Sequence, residues 1–273
     1  MASIAFGTAP RGDSPAADHR FAATLAIAMA VVVVAGFSTQ LALGRSTFGS
    51  PLRVHAHAVV FMGWVALFVA QTWLATRGPL ALHRRLGWIA VGWMALMIAT
   101  ALTVIVAAAR NGTVPFFFAP QHFLIANSAG LACFVGLTGS AIARRRETDW
   151  HARLHICGMA SLMGPAFGRL LPMPLLIPWA FEIAVAAGLV FPLAGALRDR
   201  RRLGRAHPAW RWGIGAIIAA VVLANLLARS PLGDAIYAGV TAGSPGASVP
   251  GLAYPAPPDT PLRTGCSATT LAP

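Results

Sequence analysis

Eight histidines are the main candidates for chemistry in this chain. His19 and His207 lie in polar stretches. The remaining histidines fall at the ends of apolar segments, and they are His55, His57, His83, His122, His151 and His155. A neutral imidazole nitrogen is a common ligand for metal ions and for haem iron. This placement therefore indicates either a metal or haem centre or a set of solvated helix ends.

The elements that carry these histidines are predicted to lie in a membrane. The chain is 57% hydrophobic and only 11% charged, with a mean hydropathy of +0.67, whereas a soluble domain carries about 25% charged residues. Apolar runs near 20 residues predict an all-α membrane protein with the lipid bilayer as its environment. We expect seven transmembrane helices, at about 21–43, 55–76, 80–107, 117–143, 150–171, 173–197 and 210–228.

The charge distribution predicts an orientation for these spans. The net charge is +13, and every one of the 21 basic residues is arginine. We exclude nucleic acid as a partner because the arginines concentrate in short loops between apolar runs, where the positive-inside bias places them. The side that holds the N-terminus and the loops after spans 2, 4 and 6 carries most of them. The N-terminus is thus expected in the cytoplasm and the C-terminus outside.

The ends of the chain and the cysteines limit the other options. Residues 1–20 and 229–273 are rich in small and polar residues and are predicted to be disordered tails around a membrane domain at 21–228. Cys133, Cys157 and Cys266 form no CxxC or CxxCH motif. A disulfide framework, a cysteine-based zinc site and covalently attached haem are therefore not expected.

The predicted orientation sorts the histidines into two groups. His55, His57 and His122 fall on the outer side of spans 2 and 4, and the remaining three fall on the inner side of spans 3 and 5. Two histidines that face each other in a four-helix bundle can hold one haem between them. The pattern predicts a four-helix core from spans 2–5 that binds two haem b groups, one near each face.

The alternation over spans 2–5 resembles that of helical di-haem cytochromes b, including the ascorbate-reducible family, in which the second helix pairs with the fourth and the third with the fifth. The chain also resembles an uncharacterised bacterial polytopic membrane-protein family with the pattern HxH…W…Q…HRxxGW…WHxRxH…PAxxR. The matching segments here read HAHAVVFMGWVALFVAQ, HRRLGW, DWHARLH and PAFGR. The second resemblance implies the inner (cytoplasmic) membrane of a bacterium.

Helix geometry selects one histidine from each doublet. His57, Trp64 and Gln71 repeat every seven residues and form one polar stripe, which is expected to face the bundle interior. We therefore predict His57 as the outer ligand with His122, and His55 as a group on the outer surface. His151 and His155 share a face. We predict the deeper His155 as the inner ligand with His83, and His151 as a neighbouring or proton-handling group.

Charged residues near the two levels suggest supporting roles. Arg84, Arg153 and Arg169 could pair with haem propionates, since guanidinium binds carboxylates bidentately. Glu182 is expected well inside span 6, where a carboxylate is costly unless it is paired or protonated. It could pair with Arg169, take up protons beside a quinone, or make a structural hydrogen bond.

The leading interpretation is a b-type cytochrome-like membrane oxidoreductase that moves electrons across the bilayer, with a quinone or a redox protein as partner. A haem-handling or oxidase-assembly factor would use the same histidines. A zinc-dependent intramembrane hydrolase could use His83, His151 and His155 as ligands. A transporter or pH sensor would use histidine titration. Self-association and the direction of electron transfer stay open.

Overall fold

The computed structural model of the chain describes residues 15–257, which form helices joined by loops. The helices, numbered in chain order, are α1 Pro15–Ala42, α2 Leu52–Arg77, α3 Leu80–Arg110, α4 Pro120–Ala143, α5 Thr148–Ser161, α6 Gly164–Leu170, α7 Ala180–Gly188, α8 Val190–Leu203, α9 Pro208–Ala228 and α10 Pro231–Thr241. Short 3₁₀ turns cover Met173–Leu176 and Pro245–Ser248.

Six helical segments of the described range are long and apolar enough to cross a membrane. They are Asp18–Ala42, Leu52–Arg77, Leu80–Arg110, Pro120–Ala143, Ala180–Leu203 and Pro208–Ala228. Their surfaces carry large exposed apolar side chains, such as Trp88, Trp212 and Leu223. In water such a surface would be unfavourable, so length, composition and surface together fit contact with a lipid bilayer.

The fifth predicted span is not one helix. The sequence predicts a continuous helix over 150–171, but α5 ends at Ser161 and α6 begins at Gly164. Pro165 stands in the first turn of α6, where its missing N–H and its ring prevent a continuous α-helical ladder. Neither piece reaches the length of a membrane span by itself.

The sixth predicted span begins later than expected. Prolines at 172, 174 and 178 keep the chain out of an α-helix until Ala180, and Pro192 accounts for the interruption between α7 and α8. Glu182 therefore lies in the first turn of α7 and not deep inside a span. A carboxylate is favoured there because helix N-termini carry partial positive charge.

Two ends of the bundle can be defined by the residues that meet there. At the His83 end, α3 and α5 begin and α4 finishes, since the His151 imidazole reaches the Ala141 carbonyl. At the His122 end, α4 begins and α9 finishes, because the Gln121 amide donates to the Ala228 carbonyl at 2.7 Å. α2 and α3 form an antiparallel pair in which Trp93 Nε1 donates to the Val60 carbonyl at 2.8 Å.

Small residues allow close approach of the helices. The Gly213 backbone in α9 faces Cys157 in α5 so closely that an added Cβ would lie 2.3 Å from the thiol sulfur. Gly36 in α1 is equally tight, because a Cβ there would lie 2.6 Å from the Ala166 carbonyl oxygen in α6. Helices in membranes associate through such contacts because burial from water no longer drives them together.

A buried ion pair joins three helices near the His83 end. The Arg153 guanidinium on α5 donates from Nε to Asp199 Oδ2 at 2.9 Å and from Nη2 to Asp199 Oδ1 at 3.2 Å. Trp210 Nε1 on α9 donates to the same carboxylate at 2.8 Å. The two charges are thus paired bidentately, and α5, α8 and α9 are tied at one point.

The predicted C-terminal tail is wrong for the part that the structure describes. Residues 231–241 form α10, which begins at an N-cap where Ser230 Oγ accepts from the Gly233 amide. Tyr237 and Thr241 are buried, and Gly246 packs against the Ala109 and Arg110 carbonyls of α3. Residues 15–20 are likewise helical. The rest of both predicted tails, 1–14 and 258–273, lies outside the described residues.

Candidate functional site

The structure brings three of the predicted site histidines together at the His83 end. The His83 and His151 ring centres are 6.4 Å apart with an interplanar angle of 82°, and the His151 and His155 ring centres are 4.6 Å apart. We call these residues the three-histidine cluster. It joins the start of α3 to α5, and His83 is separated from His151 and His155 by 68 and 72 residues of sequence.

The backbone of two further helices orients two of these rings. His83 Nδ1 lies 3.3 Å from the Gln71 carbonyl oxygen on α2, and His151 Nδ1 lies 2.8 Å from the Ala141 carbonyl oxygen on α4. A carbonyl oxygen can only accept, so both Nδ1 atoms carry the proton. In the neutral ring this leaves the lone pair on Nε2, which is the arrangement found in metal-ligating histidines.

His155 completes the cluster from one turn deeper in α5. Its ring contacts His151 and lies within electrostatic reach of His83. Among the described residues no group of three or more histidine, cysteine, aspartate or glutamate side chains has the geometry of a metal site. The three rings are therefore close to one another but do not converge on one point as a tetrahedral zinc site requires.

The two arginines predicted near this level have different surroundings. Arg84 is exposed beside His83, where its charge acts on that imidazole. Arg153 is buried. Its Nε and Nη2 donate to the Asp199 carboxylate, and its Nη1 donates to the carboxylate and the backbone carbonyl of Asp149. The guanidinium already has carboxylate partners, so the pairing of Arg153 with a haem propionate stays a prediction that this geometry does not favour. Arg84 keeps that candidate role.

His57 lies among different groups. Its Nδ1 is buried without a hydrogen-bond partner. Its ring packs on the Phe61 ring with centres 4.2 Å apart, and the charge of Arg169 acts on it. Arg169 Nη1 donates to the Pro165 carbonyl at 2.8 Å, and the guanidinium stacks over the Phe37 ring at 4.1 Å. The predicted pairing of Arg169 with Glu182 is not present, since Glu182 contacts α4 and α9 instead. Further along α2, Gln71 Oε1 is also buried without a partner.

His122 lies beside Glu182. His122 Nε2 is 3.7 Å from Glu182 Oε1, a distance too long for a hydrogen bond. Both His122 Nε2 and Glu182 Oε2 are buried without a hydrogen-bond partner. Glu182 Oε1 accepts from Asn225 Nδ2 at 2.8 Å, and Asn225 Oδ1 accepts from Arg229 Nη1 at 2.5 Å. Asn225 and Arg229 were not predicted from the sequence, because only tertiary packing brings them to this point.

The structure does not bring His57 and His122 to the same level. The Trp64 ring on α2 contacts the Phe134 ring on α4 at 5.2 Å. His57 lies seven residues before Trp64 on α2, whereas His122 lies twelve residues before Phe134 on α4. The difference of five residues corresponds to an offset of about 7 Å along the helix axes, at 1.5 Å per residue. No hydrogen bond, ion pair or ring contact in the described range joins them. His55 points elsewhere, since its Nε2 lies 3.0 Å from the exposed Phe48 carbonyl oxygen.

These positions can be compared with what haem ligation requires. Two imidazoles on opposite sides of one metal ion, each about 2 Å from it, have ring centres roughly 6 Å apart. His83 and His151 match that separation, and a backbone carbonyl orients each ring, so these two residues would be able to hold one iron. His57 and His122 fit this requirement less well, because their surroundings and levels differ. The geometry thus favours His151 as the partner of His83, and the His83–His155 pair stays a prediction.

Comparison with known proteins adds no assignment for this site. No protein-family model matches the chain, and no curated protein or solved structure is similar to it. The candidate site therefore stands on its own geometry.

Proposed function

We propose that this chain is a b-type haem protein of the bacterial inner membrane, with one haem held between His83 and His151. The observation that supports it is the pair of imidazoles with ring centres 6.4 Å apart, each with Nδ1 bonded to a backbone carbonyl. All four helices of the predicted core, α2–α5, contribute to this arrangement. Haem held by these two histidines would supply one-electron redox chemistry at this end of the bundle.

The chain's own residues would set the environment of that centre. The Gln71 and Ala141 carbonyls hold the two rings in the Nδ1–H tautomer, which raises the basicity of each Nε2. Arg84, exposed at the same end, is placed to bind a carboxylate at the interface. His155 packs on His151 from one turn deeper in α5 and would hold that ring in place.

Electron transfer across the bilayer would need the second haem predicted at His57 and His122. That part stays a prediction, and the geometry supports it less than the centre at the His83 end. A single centre would still exchange electrons with a quinone or a redox protein.

The test is to express the chain with ample haem, purify it in detergent, and record reduced-minus-oxidised spectra and haem content per chain. We expect one b-type haem. His83→Ala and His151→Ala should each remove it, because each deletes one axial ligand. His55→Ala is the matched control and should retain it, since His55 bonds only to an exposed carbonyl.

Other outcomes assign the site differently. Loss of haem in His155→Ala but not in His151→Ala would restore the predicted His83–His155 pair. Two haems per chain, one of them lost in His57→Ala, would establish the outer site. Absence of haem together with stoichiometric zinc would overturn the proposal in favour of a zinc enzyme, and haem that dissociates during purification would favour a haem-handling factor.

A further inference from the structure

A second site lies at the His122 end, in a pocket of about 340 Å³. Its lining includes His122 from the start of α4, Arg229 from the end of α9, Pro178 from the loop before α7, and Leu252 and Tyr254 from the segment after α10. We call it the His122 pocket. Four separate parts of the chain build it, and polar and apolar groups share its wall.

Two buried polar atoms lack partners here, one on His122 in the pocket wall and one on Glu182, which lies beside His122 and is not itself part of the lining. Neither His122 Nε2 nor Glu182 Oε2 has a hydrogen-bond partner. The other carboxylate oxygen, Glu182 Oε1, lies 3.7 Å from His122 Nε2, which is too far for a hydrogen bond. Buried polar groups in native proteins are normally satisfied, so an unsatisfied pair indicates a missing partner. A hydroxyl group within hydrogen-bond distance of His122 Nε2 and of the Glu182 carboxylate would satisfy both.

The surrounding charges restrict what that partner can be. The Glu182 carboxylate accepts hydrogen bonds and repels anions, so a phosphate or carboxylate ligand is disfavoured beside it. Arg229 on the other wall donates, and its guanidinium is held by Asn225, which also holds Glu182. A suitable ligand therefore offers a hydroxyl to Glu182 and His122 and a second oxygen to Arg229.

The apolar part of the wall adds a shape requirement. Pro178, Leu252 and the Tyr254 ring favour a flat, apolar ring over an open-chain polyol. The Tyr254 hydroxyl is itself engaged, since it donates to the Pro178 carbonyl at 3.1 Å. This contact fixes the ring of Tyr254 as part of the wall.

We propose that the His122 pocket binds a para-dihydroxy aromatic ring of the quinol class. One hydroxyl lies between His122 and Glu182, and the other faces Arg229. This inference does not depend on haem at the three-histidine cluster. It does compete with the predicted outer haem, because His122 Nε2 cannot ligate iron and face a quinol hydroxyl at once.

Binding can be measured on the full chain in detergent under anaerobic conditions, by equilibrium dialysis. Two probes separate the sources of such a ring: methylhydroquinone, which is water-soluble, and a benzoquinol with a short isoprenoid tail. Saturable binding of both, at one per chain, supports a site for the ring. Tighter binding of the tailed probe indicates a lipid-borne quinol, and equal binding indicates a soluble one.

Variants locate the site. Glu182→Gln keeps the side-chain shape and should weaken binding at least about tenfold, because it removes a charged acceptor. Glu147→Gln, an exposed carboxyl at the His83 end, is the matched control and should bind within about twofold of the parent chain, since surface charges contribute little. Leu252→Trp should abolish binding by filling the pocket without altering a buried polar group.

Three results would overturn the proposal. These are no saturable binding of either probe, unchanged binding in both Glu182→Gln and Leu252→Trp, or loss of one haem in His122→Ala. The melting temperature of each variant shows whether it is folded, and the Leu252→Trp result stands even if Glu182→Gln does not fold. Haem content of the parent chain is a separate readout, so either proposal can fail alone.

Discussion

The histidines of this chain are distinguished by the atoms that face their ring nitrogens. His83 and His151 donate from Nδ1 to carbonyls of neighbouring helices, His55 faces an exposed carbonyl, and His122 faces a glutamate. His207 differs again, because its Nδ1 accepts from the Ala209 amide at the start of α9. A ring that must accept has to remain unprotonated, whereas one that donates from Nδ1 tolerates a proton on Nε2.

That difference predicts a pH effect at His207. Burial, together with the Arg153 charge, lowers the pKa of His207 below its usual 6.5. Its neutral form is therefore favoured in the folded state, so its stabilising contribution is complete above about pH 6.5 and is lost as the pH falls from there towards the folded pKa. The melting temperature in detergent should decline over that range.

His207→Asn provides the control for this effect. Asparagine caps a helix N-terminus without titrating over this range. The variant should keep the cap and show a smaller decline in melting temperature between pH 7.5 and pH 5. An identical decline in both proteins would assign the pH dependence to other groups.

At the scale of helices, the buried pair of Arg153 and Asp199 should matter far more than its exposed neighbour. Asp199→Asn leaves a buried guanidinium without its charged partner and should destabilise the fold by about 3 kcal/mol or more. Asp149→Asn removes only a solvent-exposed partner of the same arginine and should cost roughly 0.5 kcal/mol or less. Unfolding in detergent measures both, and similar losses would contradict the assigned burial.

Helix contact at Gly213 allows a second comparison between near neighbours on α9. Gly213→Ala places a Cβ 2.3 Å from the Cys157 sulfur, whereas Gly215→Ala meets nothing within 4 Å. Overpacking of a tight contact costs typically 1–3 kcal/mol, so about that loss is expected at Gly213 and none at Gly215. Since alanine is the better helix former, an unchanged Gly213→Ala would mean that α5 and α9 pack less closely.

Sequence patterns predicted the long helices well and the broken ones poorly. The predicted spans at 55–76 and 80–107 match Leu52–Arg77 and Leu80–Arg110 closely, because length and apolar content decide such helices. Hydropathy carries no information on the backbone breaks after Ser161 and before Ala180. Pro165, Pro172 and Pro178 do indicate them, because proline interrupts an α-helix. The helix-start signal at Ser230 and Pro231 and the apolar spacing of α10 are both present in the sequence. The abundance of small residues in this region nevertheless favoured a prediction of disorder.

The candidate site shows the same division. Sequence alternation placed His83 and His151 at one end of adjoining elements. It could not give the carbonyls that orient them, since any residue at positions 71 and 141 supplies one. The choice of His155 over His151 rested on depth alone, whereas the proximity of His83 and His151 depends on how α3 and α5 face each other. Asn225 and Arg229 were beyond reach because they touch Glu182 only through tertiary packing.

At the scale of the whole molecule, the orientation can be tested directly. The α5–α6 pair begins near the α4 end at Ala141 and finishes near Gln40 of α1, whose amide donates to the Arg169 carbonyl at 2.9 Å. We expect α5 and α6 together to cross the membrane, which adds one crossing to the six apolar segments and makes seven. Reporter fusions after Arg145 and after Arg205 should then report cytoplasm, and a fusion after residue 257 should report the outside. A C-terminal reporter in the cytoplasm would contradict a seventh crossing.

The His122 pocket has a consequence for how the protein is made. Its walls come from residues as far apart as Ala119 and Tyr254, so it cannot exist on the ribosome until nearly the last described residue has been synthesised. The three-histidine cluster needs only residues up to His155. A nascent chain could thus acquire one centre early and the other late, and a stop codon before Leu252 would yield a protein with the first and without the second.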